Sequence, residues 1–193
     1  MSRASEVSVD VYGKSSHIGN AAAGIDATAA AVEIYGKARE AEADFPEGVF
    51  RLLNFGKFQS GTARNIISGH TELVGTLRAF SDEDFQWLIS ILKGVAEKLS
   101  AEYGCEIDVK YTEGYPPIVN NVELYESVAP ALHSSLENFI EMPEPAMISE
   151  DYSFYGLHVP SIFFYVGTGT GIALHTTKFD FDEAALVQGF ELY

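Results

Sequence analysis

The chain has 193 residues, 47% of them hydrophobic, so it is long enough to form one large domain or two small ones. Its 12 basic residues stand against 28 acidic ones, which gives a formal net charge of −16. A surface this acidic repels phosphate backbones and anionic lipids, which argues against nucleic-acid and membrane-surface binding. The single cysteine, Cys105, excludes an intramolecular disulfide.

The sequence shows no pattern of export or of membrane insertion. No apolar run approaches the ~20 residues of a membrane-spanning helix. The first residues lead directly into alternating valines instead of an apolar signal-peptide segment. We therefore expect a cytoplasmic location.

The first half of the chain carries strand-like and helix-like patterns in turn. Residues 6–13 alternate apolar and polar side chains, which predicts a half-buried strand. Helical spacing follows over 24–44, with Asp26 as the predicted N-cap. Two further strands are predicted over 49–59 and 70–80.

A second helix and a last strand follow. Ser81 and Asp84 form a capping box, and the apolar residues after them recur at helical spacing. Alternation then returns up to Tyr111. The order strand, helix, strand, strand, helix, strand is that of the ferredoxin-like fold, an antiparallel sheet with both helices on one face. This predicts an α+β domain over residues 6–113, with Arg78 on the open face of its sheet.

The rest of the chain has a different character. A helix is predicted over 121–139 with a kink near Pro130, followed by a short strand at 146–148. Residues 160–166 are apolar throughout, which predicts a strand buried on both faces of an α/β layer. About 80 residues with two strands cannot cover both faces of such a sheet. Region 114–193 therefore looks like an incomplete domain.

His175 is a candidate metal ligand. It follows the apolar run that ends at Gly167 and precedes a final helix predicted from Asp182. A ligand at this position would lie at the carboxyl edge of a sheet. A zinc or similar site needs three or more protein ligands close together, however, and the other histidines are scattered. From spacing alone, a structural or solvated role for His175 is the more common case.

Three further residues are each open to two interpretations. The guanidinium of Arg78 suits a substrate carboxylate, but it also suits a surface ion pair. Asn65 lies in a polar link between two strands, where it would equally well shape a turn. His17 follows two serines, but neighbouring residues in a loop rarely form a catalytic triad.

Glu150 and Asp151 suggest another possibility, a hydrolase that works with a carboxylate pair. Adjacent residues usually point in different directions, so they bracket a scissile bond poorly. A solvated turn or the start of a helix explains them better.

Seven short motifs occur together in the order and spacing of a known family. They are GKSSH (13–17), GID (24–26), GTARNII (61–67), GTLRAF (75–80), PPIVN (116–120), SEDYS (149–153), and LH followed by FDFDE (174–183). Each motif is weak alone, but together they span nearly the whole chain. The sequence resembles the aminoacylase/carboxypeptidase-type metallopeptidases, and among them the hippurate hydrolases and auxin-conjugate amidohydrolases.

That family has a di-metal catalytic domain interrupted by a ferredoxin-like lid that often dimerises. The resemblance implies that residues 6–113 are the lid and that 114–193 are the C-terminal portion of the catalytic domain. It also implies a homodimer formed through the lid. Two divalent metal ions, zinc or manganese, are implied for each complete active site.

The resemblance assigns roles to four residues. His175 would be a ligand of one metal. His17 would stabilise the tetrahedral oxyanion in the active site of the partner subunit. Asn65 and Arg78 would hold the carboxylate of an N-acyl amino acid or small peptide. A metal-bound hydroxide would attack the amide carbon.

In that family the other metal ligands and the paired-glutamate base lie upstream of the lid. We therefore expect the full-length protein to be a metal-dependent amidohydrolase, and this chain alone to show little or no hydrolysis. The alternative is a non-catalytic, lid-like module that dimerises or binds a partner, because the predicted lid is complete whereas the region after it is not.

Overall fold

The computed structural model describes residues 1–43, 51–136 and 139–192, which form two compact units. The first unit comprises Met1–Ile118 and Glu144–Phe154, and the second comprises Val119–Pro143 and Tyr155–Tyr193. The domain limits 6–113 and 114–193 stay a prediction. The end of the helix predicted to residue 44 and the start of the strand predicted from residue 49 lie outside the described residues.

The first unit is built on a four-stranded sheet. Its elements are β1 (Arg3–Tyr12), β2 (Ser16–His17), a 3₁₀ helix (Ile18–Ala23), α1 (Ala27–Ala43), β3 (Arg51–Ser60), β4 (Ile66–Ile67), β5 (His70–Ala79), α2 (Asp82–Tyr103) and β6 (Glu106–Tyr111). The strand order is β3-β5-β1-β6, and all neighbours are antiparallel. Helices α1 and α2 pack on this sheet and on each other. The predicted α/β class, with the ferredoxin-like βαββαβ order, is confirmed.

The core follows from the two hydrophobic periodicities. Alternate residues of β1 and β5 are fully buried, as are the residues of α2 that recur at helical spacing. The largest of these are Val7, Val9, Val11, Leu73, Leu77, Phe85, Leu88 and Leu92. Each side chain of this size contributes roughly 1.5–3 kcal/mol when it leaves water. The first unit therefore has a hydrophobic core of its own.

The helix starts are capped as the sequence predicts. Asp26 Oδ1 accepts hydrogen bonds from the amides of Thr28 (2.9 Å) and Ala29 (3.2 Å) at the start of α1. Ser81 Oγ accepts from the amide of Asp84 (3.0 Å) at the start of α2. These bonds satisfy amides that have no partner inside the helix.

A buried arginine joins the beginning of the chain to the start of α2. Arg3 donates from Nη1 to Asp82 Oδ1 (2.6 Å), and from Nη2 to the carbonyl (2.8 Å) and carboxylate (2.6 Å) of Glu113. Its guanidinium carbon lies 3.9 Å from the centroid of the Phe85 ring. The side chain is 11% exposed, whereas Asp82 and Glu113 are 67% and 77% exposed.

The open face of the sheet carries a network of charges. Asp10 Oδ1 lies 2.9 Å from His70 Nε2, and Asp10 Oδ2 accepts from Lys110 Nζ at 3.2 Å. Burial raises the pKa of Asp10, but the hydrogen bonds from His70 and Lys110 outweigh this effect and hold that pKa below its usual value. The network joins the three adjacent strands β5, β1 and β6.

The second unit contains α3 (Val122–Ser135) and α5 (Ala184–Leu192), while α4 (Ser153–Gly156) begins in the first unit and ends in the second. Helix α3 includes Pro130, as predicted, but it ends at Ser135, before the predicted end at 139. Helix α5 begins where Asp182 Oδ1 accepts from the amide of Ala184 at 2.9 Å.

Two predicted strands are absent from the described structure. Neither 146–148 nor 160–166 is a strand there, and residues 160–166 are partly or fully exposed instead of buried on both faces. An apolar run becomes a strand only when another strand completes its hydrogen-bond ladder. The described residues supply no such neighbour for 160–166, so this prediction was wrong for the chain by itself.

The described residues of the second unit form no hydrophobic core. None of its described residues is fully buried, and Phe190 at 83% is its most exposed large apolar side chain. An apolar groove of about 450 Å³ runs between Val166 and α5. Across the described part of the chain, no helix combines the length and the apolarity that crossing a bilayer requires.

Candidate functional site

The structure brings His17 and Asn65 together. Strands β2 and β4 pair antiparallel, with His17 opposite Ile66, and the amide of Ile18 donates to the carbonyl of Asn65 at 2.9 Å. We call residues 16–18 and 65–67 the paired tip. It joins two loops that are nearly 50 residues apart in sequence. The sequence patterns did not predict this pairing.

Close backbone packing holds the paired tip on the sheet. The amide of Gly13 donates to the carbonyl of Gly69 at 3.0 Å, where β1 ends and β5 begins. Lys14 and Ile25 exchange two backbone hydrogen bonds of 2.9 Å. A Cβ on Gly13 would lie 2.2 Å from the carbonyl oxygen of Ile25, so only glycine fits there. The loops thus leave the sheet in a defined direction.

The ring of His17 has a defined hydrogen-bond role. Its Nδ1 accepts from the amide of Gly19 at 3.1 Å, at the start of the 3₁₀ helix. In a neutral imidazole one nitrogen accepts and the other carries the proton. The proton of neutral His17 therefore lies on Nε2. The side chain is exposed, so Nε2–H can donate to a group outside this unit.

Arg78 lies at the other end of β5. It pairs with Ala4 of β1 and Leu52 of β3, and its Nη1 donates to the backbone carbonyl of Met147 at 2.5 Å. The residue is half-buried. The open sheet face predicted for Arg78 thus includes a segment distant in sequence that the periodicity did not reveal.

The strand length separates Arg78 from the paired tip. Strand β5 begins at His70, next to the tip, and Arg78 is eight residues further along it. At about 3.4 Å per residue this distance is about 27 Å. Asn65 and Arg78 of one copy therefore cannot bind the same small carboxylate. The carboxylate-binding role predicted for the pair stays a prediction.

His175 lies in an exposed turn of the second unit. Its backbone φ is 63°, and it is the single non-glycine residue in the described structure with a positive φ. Such a conformation is uncommon outside glycine, and it occurs often at functional sites. Next to it, Thr176 Oγ1 donates to the carbonyl of Ala173 at 3.1 Å and holds the turn.

The described residues do not form a complete metal centre. Within 1–43, 51–136 and 139–192, no three His, Cys, Asp or Glu side chains lie close enough together to hold a metal ion. Glu150 and Asp151 are exposed, as expected for a solvated turn. At most His175 would contribute one ligand, and further ligands would have to come from elsewhere.

The sequence model of peptidase family M20/M25/M40 matches residues 7–193 of the chain. The chain belongs to this family. This M20-family chain has relatives among bacterial hydrolases. An uncharacterised hydrolase of Staphylococcus haemolyticus is 30% identical over 191 residues, covering 95% of this chain and 50% of that protein. The chain spans half the length of this relative.

Solved structures support the fold assignment. A Bacillus subtilis protein, YXEP, is described as a dinuclear metal binding peptidase from the M20 family; it is 26% identical, with a TM-score of 0.75 over 97% of this chain and 47% of that chain. A structure from methicillin-resistant Staphylococcus aureus, at 24% identity, has a TM-score of 0.87 and covers 98% of this chain and 50% of that chain. The second likeness shows the fold alone.

The residues predicted as a site are thus in three places. His17 and Asn65 share the paired tip, Arg78 lies near the far end of β5 in the four-stranded sheet, and His175 lies in the second unit. Sequence reasoning missed Gly19, whose amide orients His17, and the carbonyl of Met147. A glycine two residues after a loop histidine is a weak signal, and a carbonyl contact leaves no trace in the residue type. The roles of the four residues stay predictions.

Proposed function

We propose that the protein containing this chain is a metal-dependent amidohydrolase that cleaves the amide bond of N-acyl amino acids or small peptides. The observation that carries the proposal is the M20 family match over residues 7–193. The seven motifs favour the hippurate hydrolase and auxin-conjugate branch. The dinuclear metal site of the Bacillus subtilis relative supports a divalent metal pair here, zinc or manganese.

In this proposal His175 provides one imidazole to a metal. Its exposed, positive-φ turn presents the ring outwards, in agreement with a ligand that completes a shell formed by other groups. The metal pair, when bound, supplies activated water. The remaining ligands come from sequence that the relatives contain beyond the matched half.

His17 is proposed to stabilise the oxyanion that forms at the scissile carbonyl. Because Nδ1 accepts from Gly19, the neutral ring offers Nε2–H as a donor of fixed direction. A donor that is already oriented stabilises developing negative charge without reorganisation. The side-chain amide of Asn65, which immediately precedes β4 in the paired tip, is a second polar group for the substrate.

Arg78 is proposed to bind the substrate carboxylate in trans to the paired tip. A separation of about 27 Å along β5 is longer than one small substrate, which supports different active sites of a homodimer for the two. Strand β3 is an edge strand of the described sheet, and Phe58 on it is exposed, which favours dimerisation through this lid. Light scattering of the purified chain tests this part, and a monomer at high concentration would contradict it.

The test of the activity uses two preparations. The chain alone is expected to hydrolyse N-acetyl and N-benzoyl amino acids little or not at all. The chain supplied with the upstream half of an M20 relative, such as the Bacillus subtilis peptidase, is expected to hydrolyse them in a chelator-sensitive reaction. Strong turnover by the chain alone would refute the assignment of the metal centre. Activity that survives chelation would instead favour the Glu150–Asp151 carboxylate pair.

Within the complemented enzyme, His17→Ala is expected to lower kcat by about 100-fold to 1,000-fold with little change in KM, because the group acts in the transition state. His158→Ala is the matched control, since His158 is also exposed but has no proposed role. Gly19→Ala should reduce kcat less, because the new Cβ would lie 3.2 Å from His17 Nδ1 and push the ring aside.

A second candidate is the non-catalytic dimerisation or binding module. It is favoured by one observation: the first unit has a complete core, whereas no described residue of the second unit is buried. No turnover with the upstream half present, together with a stable dimer of the chain, would support this candidate over the hydrolase.

A further inference from the structure

A segment distant in sequence belongs to the lid-like first unit. Residues Glu144–Phe154 cluster with Met1–Ile118, although residues 119–143 between them belong to the second unit. Two residues of the first unit, Arg78 and Ser2, bind the backbone of this segment. Arg78 Nη1 donates to the carbonyl of Met147 (2.5 Å), and Ser2 donates to the carbonyl of Ile148 from its amide (3.0 Å) and its hydroxyl (3.3 Å).

The segment is irregular and at least partly exposed before its last residues. From 144 to 152 it contains neither helix nor strand, and no residue there is fully buried. At its end Ser153 is buried, and the Phe154 ring contacts Tyr115 edge-on at 5.9 Å. A hydrogen bond from a charged donor is among the stronger ones available to an irregular segment.

We infer that Arg78 is a positioning residue for the acidic turn Glu150–Asp151. The two carboxylates follow Met147 by three and four residues, so the bond that fixes Met147 also limits where they lie. The amides of Ser153 and Phe154 close the turn by donating to the carbonyls of Glu150 (3.3 Å) and Asp151 (3.0 Å). Arg78 thus fixes the position of the turn relative to the sheet.

The guanidinium of Arg78 couples the bond to Met147 with the binding of a carboxylate ligand. Nη1 is directed at Met147, and the fork retains Nη2 for a carboxylate ligand. A carboxylate bound at Nη2 restricts the guanidinium and thereby tightens the turn. This coupling rests on the proposed function for its ligand, whereas the hold of Arg78 on the segment does not.

Amide hydrogen exchange of the full chain, followed by NMR, tests the inference. Arg78→Met is expected to speed exchange at Ser2, Ser153 and Phe154 by about tenfold or more, relative to the amides of the α2 core. The ratio to the core removes any change in global stability. Arg78→Lys retains one donor and should give an intermediate ratio. Arg64→Met, at an exposed position, removes the same charge and should change nothing.

An unchanged ratio in Arg78→Met would overturn the inference. The coupling has its own readout: N-benzoylglycine should slow exchange at Ser153 and Phe154 in the natural chain but not in Arg78→Met. If N-benzoylglycine does not slow exchange at Ser153 and Phe154 in the natural chain, the coupling is refuted while the positioning role of Arg78 stands. Absence of hydrolysis would count against the proposed function and would leave the exchange ratios as they are, so the two failures are distinguishable.

Discussion

Replacing Arg3 by methionine should destabilise the first unit by about 2 kcal/mol. The guanidinium makes three charge-assisted hydrogen bonds and stacks on Phe85, while being only 11% exposed itself. Asp82 and Glu113 are mostly exposed, so their carboxylates regain water in the variant and no uncompensated buried charge remains. Methionine also keeps part of the contact with the ring.

The assay can follow the first unit alone. Trp87 is the only tryptophan in the chain and lies in α2, so its fluorescence during urea or thermal unfolding reports this unit. A loss of about 2 kcal/mol should lower the melting temperature by about 4–8 °C. Arg64→Met serves as the control with an equal change of charge at an exposed position.

The result can refute the reasoning from either side. A change below about 0.5 kcal/mol would show that hydration fully replaces the three bonds, as for an ordinary surface pair. A loss above about 4 kcal/mol would show that removing the guanidinium leaves a buried group uncompensated, contrary to the exposure of its partners. Glu113→Gln should cost less than Arg3→Met, because its carbonyl still accepts from Arg3.

Four further substitutions are tested by urea unfolding or dye binding. Gly104→Ala and Gly114→Ala both place a side chain at positive φ (65° and 61°), but a Cβ at 104 meets nothing within 4 Å whereas one at 114 would lie 1.7 Å from the carbonyl oxygen of Ala4. We expect a loss of about 1 kcal/mol for the first and of about 3 kcal/mol or more for the second, and equal losses would contradict the steric argument. Asp10→Asn should lower the free energy of unfolding by about 1 kcal/mol near neutral pH. Because folding lowers the pKa of Asp10, its contribution is present above the pKa of the unfolded state and is lost as the pH falls through the pKa of the folded state. The stabilities of the natural and variant chains should therefore converge in strong acid. The Phe190→Ser variant should bind less of a hydrophobic dye than the natural chain does. Equal dye fluorescence would show that the exposed groove of the second unit does not bind the dye.

Local patterns were sufficient for the four-stranded sheet and the two helices of the first unit. Alternation along 6–13 and helical spacing after Ser81 each indicate one buried face, and elements with one buried face pack in few ways. The caps at Asp26 and Ser81 depend on neighbours within three residues, so the sequence contains all of their partners. The ferredoxin-like order then follows from the sequence of elements.

The candidate site depends on long-range register, which local patterns do not contain. The two-residue strands at His17 and Ile66 are too short for any periodicity, so their pairing was not predictable. The contact of Arg78 with Met147 joins residues 69 positions apart through a backbone carbonyl. The motif resemblance identified which residues matter, but it did not indicate that Asn65 and Arg78 lie at opposite ends of β5.

The strand predicted over 160–166 is absent from the described structure for a different reason. Its apolar composition is typical of a buried strand, but burial depends on the neighbours as much as on the segment. In the described chain those neighbours are lacking, and the residues remain partly exposed. The apolar pattern thus indicates neighbouring strands on both sides, which the described residues do not supply.

The loops that carry His17 and Asn65 are joined by the β2–β4 pairing and by the bond from Ile18 to the carbonyl of Asn65, so a shift of one loop strains the other. A change of substrate preference is therefore best sought by exchanging both loops as a single cassette between homologous hydrolases. Swapping one loop alone should mismatch the ladder and disorient the imidazole before it alters selectivity.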